Sequence, residues 1–341
     1  MKIAIHNNNL GFTPRWIQYC QSNGIPYKLV NCYDSDIIHQ LEDCDALMWH
    51  HWQVNSKDIL KAKRLLFALE HAGKMVFPNF RTGWHFDDKI AQKYLLESLG
   101  LPLVPTYHFL DKEKAIEWVK KADFPKVFKL TRGAGSANVK LVQNRKQAIS
   151  LIKKAFSSGF TVFDRYEVVK ERWRKFREGK DSFFGVLKSC YRVFNLPRYA
   201  KLLPKERFEV CFQDFIPDND SDFRVIVIGD KAFAIKRLVR NNDFRASGSG
   251  NILYEIHHFD ENLISKSFSY AQKLKAQSIG FDYVFDSEGN SKIVEISYGF
   301  AIEVYNDCVG YWDKELNFHE GKFDSCEWMV DLVLKQIQVD A

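Results

Sequence analysis

Apolar positions in the first hundred residues alternate between two periods. Lys2–Ile5, Pro26–Val30, Ala46–Trp49 and Lys74–Phe77 are short apolar runs bounded by polar or turn residues, and they read as strands. Between them, Pro14–Ser22 carries a helical pattern ended by Asn23-Gly24. Ser56, read as an N-cap, opens a second helix to His71 that Gly73 stops. A succession of this βαβα kind implies a small parallel sheet covered by helices.

The pattern then changes. A helix from about Asp87 to Leu99, closed by Gly100, leads into Leu101–Pro105. Pro125–Leu130 and Val139–Val142 read as two strands joined by a short glycine-bearing loop, followed by helical residues 145–156 and a strand at Phe208–Phe212. Asp222–Ile228 and Lys231–Leu238 form a second hairpin around Gly229-Asp230. A helix over 263–277 precedes a third hairpin, Phe281–Phe285 with Lys292–Ile296. The fold class is therefore α/β with antiparallel parts (α+β). Three regions are expected: an N-terminal parallel α/β domain over 1–105, a central one over 106–214, and a C-terminal one over 215–341.

Composition narrows the class. Hydrophobic residues are 46% and charged residues 27% of 341, the balance of a soluble globular protein. No apolar run reaches the roughly 18 residues that span a bilayer, and the N-terminus lacks a signal-like apolar stretch, so a cytoplasmic enzyme is expected. Seven cysteines, odd in number and without a C-x-x-C, argue for reduced thiols. The pairs His50-His51 and His257-His258 read as packing or hydrogen-bonding residues, because neighbours in a strand face opposite ways. The net charge of +6 is concentrated: residues 164–207 hold 13 Lys/Arg and 6 Asp/Glu, which leaves the rest near neutral. A general nucleic-acid-binding surface is therefore not expected.

The segment FPKVFKLTRGAGSANVKLV, 124–142, is a candidate phosphate site. No lysine follows Gly135, so it is not a Walker A loop. Gly133-Ala134-Gly135 is followed by Ser136 and then a strand, so it is not a dinucleotide fingerprint opening a helix. What remains is a strand ending in Lys129, a small-residue loop whose N–H groups can close over phosphate oxygens, and a returning strand. An ordinary hairpin loop is the alternative.

Asp88-Lys89, Lys129 with its glycine loop, Cys211–Ile216, Asp222-Phe-Arg224, Ala234–Arg237, Asn242–Gly250 and the strand acids Asp282 and Glu295 follow one another in the order of the ATP-grasp superfamily, and over Asp87–Gly299 the chain resembles its ribosomal-protein glutamate ligase branch, with D-alanine–D-alanine ligases more distant. That resemblance implies two subdomains clamping ATP behind the N-terminal domain. Lys89 is implied to reach the phosphates, and Lys129 the α- and β-phosphates beneath the loop Gly133, Ala134, Gly135 and Ser136. Gln213, Asp214, Phe215 and Ile216 resemble the hinge that reads adenine by backbone contacts. Of the acids after it, Asp222 is a candidate for the ribose; it also begins the D-x-R strand with Arg224. Lys236-Arg237 resembles the second basic strand, and 242–250 the loop near the γ-phosphate. Asp282 and Glu295 resemble the metal-binding acids. Ser297 stands where the family usually has asparagine, which puts that third ligand in doubt. A salt-bridged pair of strand acids, with Arg224 or Arg237 as partner, is the alternative for the two carboxylates.

The implied cofactors are ATP and Mg²⁺, with Mn²⁺ as a substitute. The implied reaction is ligation of a carboxylate to an amine through an acyl phosphate, with Arg224, Arg237 and Arg245 stabilising the transferring phosphoryl group. Small-molecule, peptide and cell-surface glycan substrates all fit. A phosphotransferase and a non-catalytic nucleotide-binding module are the other two readings. No general base stands out; His319 and Glu320, in the aromatic stretch 310–323, line either the pocket or the core. The basic insertion 164–207 reads as a solvated helical subdomain. An anionic membrane surface, which would make the protein peripheral to the inner membrane face, or an acidic polymer is its alternative partner.

Overall fold

The computed structural model describes the chain except residues 54, 133–137, 162–164, 178, 180–181, 195–204, 241–242 and 341. It divides into two compact units. The first comprises Met1–Phe86, Ala91–Leu103 and Ile216–Ala341; the second comprises Asp87–Ile90 and Val104–Phe215.

The first unit opens with β1 (Ile3–His6), α1 (Thr13–Ser22), β2 (Tyr27–Val30), α2 (Ile37–Gln40), β3 (Ala46–Met48), α3 (Ser56–His71), β4 (Met75–Phe77) and α4 (Phe80–Gly83). The strands form a parallel sheet in the order β2-β1-β3-β4. All four residues of β1 are buried, as expected for a parallel strand covered on both faces. The N-cap of α3 is Asn55 rather than Ser56. The Asn55 side-chain oxygen accepts from Lys57 N at 3.0 Å, so Ser56 becomes the first helical residue.

Helix α5 (Lys89–Ser98) begins in the second unit, which continues with β5 (Thr106–Phe109), α6 (Lys112–Lys121), β6 (Lys126–Lys129), β7 (Lys140–Val142), α7 (Arg145–Ala155), α8 (Arg165–Arg177), α9 (Phe183–Phe194) and β8 (Val210–Asp214). Its sheet is antiparallel, in the order β5-β8-β6-β7. One face packs Phe128, Val142, Val210 and Phe212 against Ala115 and Val119 of α6 and Ala148 and Ile152 of α7. By alternation, the other face carries Thr106, His108, Val127, Lys129, Cys211 and Gln213.

The first unit resumes with β9 (Ser221–Ile228), β10 (Lys231–Leu238), β11 (Ile252–Leu253), α10 (Glu261–Leu274), β12 (Ser278–Phe285), β13 (Ser291–Ser297), β14 (Gly310–Asp313), β15 (Phe318–Glu320) and α11 (Ser325–Asp340). The seven-stranded sheet runs β13-β12-β9-β10-β14-β15, with β11 on β10. One face buries Val225, Val227, Phe281 and Tyr283 against Leu263, Ile264, Ala271 and Leu274 of α10. The other buries Ile226, Ile228, Phe233 and Ile235 together with Ile3, Ile5 and Trp16 of the N-terminal part and Met329 and Val333 of α11. Helix α10 stops short of the predicted 277, because Lys275 adopts the left-handed conformation and Ala276 N bonds back to Ala271 O.

Candidate active site

The buried face that carries Ile226, Ile228 and Ile235 turns from apolar to charged at one end. Asp222 and Arg224 of β9 share it with Arg237 of β10 and Asp282 of β12. Register sets Arg224 opposite Ile235 on one side and Asp282 on the other, and Arg237 opposite Asp222. Arg224 Nε donates to Asp282 Oδ1, and its Nη2 donates to Oδ2 at 2.6 Å. Arg237 Nε and Nη2 donate to Asp222 Oδ1 and Oδ2 at 2.6 and 2.7 Å, and Arg237 Nη2 also lies 3.0 Å from Asp282 Oδ2. Two carboxylates and two guanidiniums thus form a neutral quartet, with Arg237 and Asp282 nearly sequestered from solvent at 6% and 8% exposure. Burial opposes the charge on Asp282, but the two guanidiniums beside it prevail and hold its carboxyl well below the usual range. Asp222, pushed up by burial and by the neighbouring Asp282 charge, takes a proton before Asp282 does.

Asp282 also stands opposite Glu295 across β12 and β13, and Gly280 stands opposite Ser297. Next to this row the ladder slips: Tyr283 pairs with Ile293, so Val294 is an extra residue in β13. The bulge has a consequence for the site. Ile293 and Ile296, an odd number of residues apart, both reach the α10 core. Glu295 and Ser297 are thereby left to the face of Asp282. Without the bulge, Glu295 would share a face with the core residue Ile293. The Ser297 hydroxyl donates to Gly299 O at 2.8 Å.

Other predicted residues of this unit lie elsewhere. Lys236 is on the opposite sheet face from Arg237, with its ammonium 5.2 Å from the centre of the Phe223 ring. Arg245 pairs with Asp243, Nη2 to Oδ2 at 2.6 Å. Its loop is organised by Arg240, which the sequence reading did not single out. That buried guanidinium donates to Ser247 O, and Gly248, at φ +73°, lies where a Cβ would meet Arg240 Nη2. Tyr305 is a second residue missed, buried beside Arg224, with burial raising its hydroxyl's pKa. His319 pairs with Asp313 at 2.7 Å and stacks on Tyr311 in the hairpin of β14 and β15, whose Trp312 is in the core. His50 Nδ1 accepts from Phe12 N at 2.9 Å in the interior, a hydrogen-bonding role.

In the second unit, the Lys129 ammonium donates to Gln213 Oε1 at 2.5 Å, and Gln213 Nε2 donates to Thr106 Oγ1 at 3.1 Å. Gln213 thus orients the buried lysine on the face away from α6 and α7. Asp214 pairs instead with Lys126 at 2.6 Å, an odd number of residues from Gln213 and Lys129 on their strands and so on the other face. Its N–H donates to Pro105 O at 2.9 Å. Phe215 ends this unit's last segment, and Ile216 opens the next segment of the first unit. Lys89 N donates to Thr131 O at 3.1 Å, which puts Lys89 at the root of the glycine loop. Gly133, Ala134, Gly135 and Ser136 lie outside the described residues.

Both ends of that loop are tied to the base of the basic insertion. Glu206 Oε2 and Oε1 accept from the N–H groups of Thr131 and Arg132, each at 2.8 Å. At the far end, Asn138 Nδ2 donates to Thr161 O at 3.1 Å. The insertion is closed by a two-bond backbone bridge between Phe160 and Glu206, at 3.0 and 2.9 Å. Gly159 makes this closure fit: its φ is +69°, and a Cβ there would lie 2.6 Å from Glu206 O. Burial pushes the Glu206 carboxyl up to about 7, against the two N–H groups that favour its charge.

Among the described residues, no group of three or more His, Cys, Asp or Glu is arranged to hold a metal ion. What the first unit offers is the facing pair Asp282 and Glu295 with the Ser297 hydroxyl beside them, an all-oxygen set. It suits a hard cation that keeps waters and takes further ligands from phosphate. Three guanidinium N–H contacts already fall on the roughly four lone-pair positions of Asp282, so a cation there must share or displace a guanidinium.

Residues 199–310 match a RimK-like ATP-grasp domain, and residues 88–179 match the ATP-binding domain of the carbamoyl-phosphate synthase L chain. The chain is 21% identical over 267 residues to the alpha-aminoadipate–LysW ligase LysX of Saccharolobus solfataricus, covering 77% of this chain and 78% of that protein. Among solved structures, the D-alanine–D-alanine ligase of Bacillus anthracis, complexed with ATP, superposes with a TM-score of 0.58 at 14% identity, covering 100% of this chain and 99% of that one. The ATP-grasp ligase PsnB, complexed with a minimal precursor, Mg and ADP, gives a TM-score of 0.53 at 14% identity, over 99% of this chain and 98% of that one.

Proposed function

This chain is an ATP-grasp protein, and from that premise we propose that it is an ATP-dependent carboxylate–amine ligase. The observation that carries the reading is the row Arg224, Asp282, Glu295 across three neighbouring strands, with Arg237 closing on Asp282. Fixed positive charge and two adjacent carboxylates on one rigid sheet face are what phosphoryl transfer to a carboxylate asks of a protein.

Lys89 and Lys129 hold the phosphates of ATP as fixed positive charges. The backbone of 213–216 reads adenine. Gln213 keeps the Lys129 ammonium in place, and Asp222 acts by holding Arg237. A substrate carboxylate oxygen attacks the γ-phosphorus, the bond to the β,γ-bridging oxygen breaks, and ADP leaves. Arg224, Arg237 and Arg245 spread the developing negative charge. The amine nitrogen then attacks the acyl carbon, phosphate departs with the C–O bonding pair, and the nitrogen gives up a proton. Mg²⁺ held by Asp282 and Glu295, with Ser297 or water beside them, supplies further neutralisation of phosphate charge when bound. The relatives point to amino-acid or peptide partners in this reaction.

The test is ADP and phosphate release from Mg-ATP over panels of acids and amines. Release that requires both an acid and an amine, with an amide product by mass, is the expected result. A phosphorylated product formed without an amine identifies a phosphotransferase and overturns the ligase reading, and ATP binding without turnover on any pair overturns it in favour of a nucleotide-binding module.

A further inference from the structure

The helices of the basic insertion expose an apolar face that the nucleotide machinery does not use. On α9, Phe184 is 81% exposed and Tyr191 66%, with Phe183 and Leu187 about half exposed, while Val186 and Ser189 are buried. At about 100° per residue, the four exposed apolar side chains share an arc of roughly 100° on one side, and the two buried residues lie on the other. Lys188, exposed, borders that arc. On α8, Trp173 is half exposed and stands on one helical face with the exposed Lys170 and Arg177, three residues before it and four after it. The two helices meet through a ring contact between Phe176 of α8 and Phe183 of α9 at 5.8 Å, and Phe176 also lies 5.8 Å from Trp173 within α8. Among the described residues, no helix is long and apolar enough to cross a membrane.

We propose that this helix pair is a docking surface for an anionic lipid bilayer, on which α9 lies in the plane of the interface. Three observations select this occupant. A large aromatic and aliphatic arc bordered by a lysine, with a lysine and an arginine exposed on the helix beside it, is the composition of an in-plane interfacial surface: rings enter the acyl boundary and cations stay with the headgroups. A tryptophan between two cations is suited to the headgroup level, where its apolar body and polar N–H are both satisfied. A second copy of the chain fits poorly, because an isologous contact would set one segment of net charge +7 against another. The inference is independent of the ligase reading, since it rests on residues outside the nucleotide site.

The full chain is sedimented with vesicles of phosphatidylcholine alone and of phosphatidylcholine with 30% phosphatidylglycerol. Pelleting with the anionic vesicles only, weakened by raising the salt to 0.5 M, is expected. The triple variant Lys170→Glu, Arg177→Glu, Lys188→Glu should lower the partition constant at least a hundredfold, as each lost cation removes about fivefold. The pair Phe184→Ser and Tyr191→Ser should also release the protein while net charge is unchanged. Both variants alter exposed side chains only, and unchanged melting temperatures and ATP binding will show that each still folds. Absence of binding to anionic vesicles overturns the proposal. So does binding that neither variant weakens, and so does a concentration-dependent dimer, without vesicle binding, that the serine pair dissolves.

Discussion

Asp282 is held ionised between two guanidiniums inside a sheet, and removing its charge is not the reverse of adding a contact. In Asp282→Asn two arginines, Arg237 buried and Arg224 half-buried, keep only Asp222 to balance them, which costs about 3–5 kcal/mol. Denaturant melts should show this loss, and replacing Arg224 and Asp282 together by methionine should destabilise less than the single change. Glu206 makes a pH prediction of opposite sign to an ordinary salt-bridged acid. Its folded pKa, about 7, lies above the usual 4.5, so the folded state binds the extra proton between those values. Stability from this group is therefore greatest below pH 4.5 and falls as pH rises through 7. Melting temperatures of Glu206→Gln should lose that decline between pH 5 and 7.5; a variant with the same slope as the parent would show that Glu206 is not its source. These residues differ in how far the sequence announced them. Asp282 and its arginine partners are visible because a carboxylate in an apolar strand requires either a cation or a metal. Arg240 and Glu206 bond to backbone atoms of loops, one nearby in sequence and one distant, and no side-chain pattern records such a partner.

Elements were legible wherever apolar periodicity was strong. The parallel strands, the three hairpins and α3 fall within a few residues of their predicted bounds. β5 and α6, Thr106–Phe109 and Lys112–Lys121, are not legible in the sequence, because a four-residue strand and a heavily charged helix leave little apolar signal. The C-terminal helix α11 gives no clear periodic signal either: its apolar residues Trp328, Met329, Val330, Leu332, Val333 and Leu334 form a nearly continuous run with weak helical contrast. The bulge at Val294 is a different matter, since strict alternation assigns Ile293 and Glu295 to one face and only the cross-strand register shows otherwise. At the base of the insertion, Gly159→Ala tests whether the closure matters to the loop it adjoins. The left-handed φ alone costs about 1–2 kcal/mol, and the new Cβ would also press on Glu206 O. Calorimetry with ATP and Mg²⁺ should give weaker nucleotide binding together with a lower melting temperature. Unchanged affinity in a folded variant would separate the insertion's base from nucleotide binding.

At the scale of the molecule, the chain passes between its two units repeatedly, leaving the first at Phe86 and Leu103 and returning at Ala91 and Ile216. The acids, arginines and bulge all belong to the first unit, and the lysines and the tied loop to the second. The ties of Glu206 to Thr131 and Arg132, and of Asn138 to Thr161, give the two ends of the glycine loop and the base of the insertion shared anchoring bonds. Shared anchors turn two binding events into one thermodynamic cycle, whose closure permits no one-way influence. By whatever factor a surface bound to α8 and α9 changes the dissociation constant of nucleotide, nucleotide must change that of the surface by the same factor. Vesicle partitioning measured with and without a non-hydrolysable ATP analogue, against analogue affinity measured with and without vesicles, should return one number above unity from both directions. In Glu206→Gln with Asn138→Ala that number should move toward one, leaving each ligand indifferent to the other.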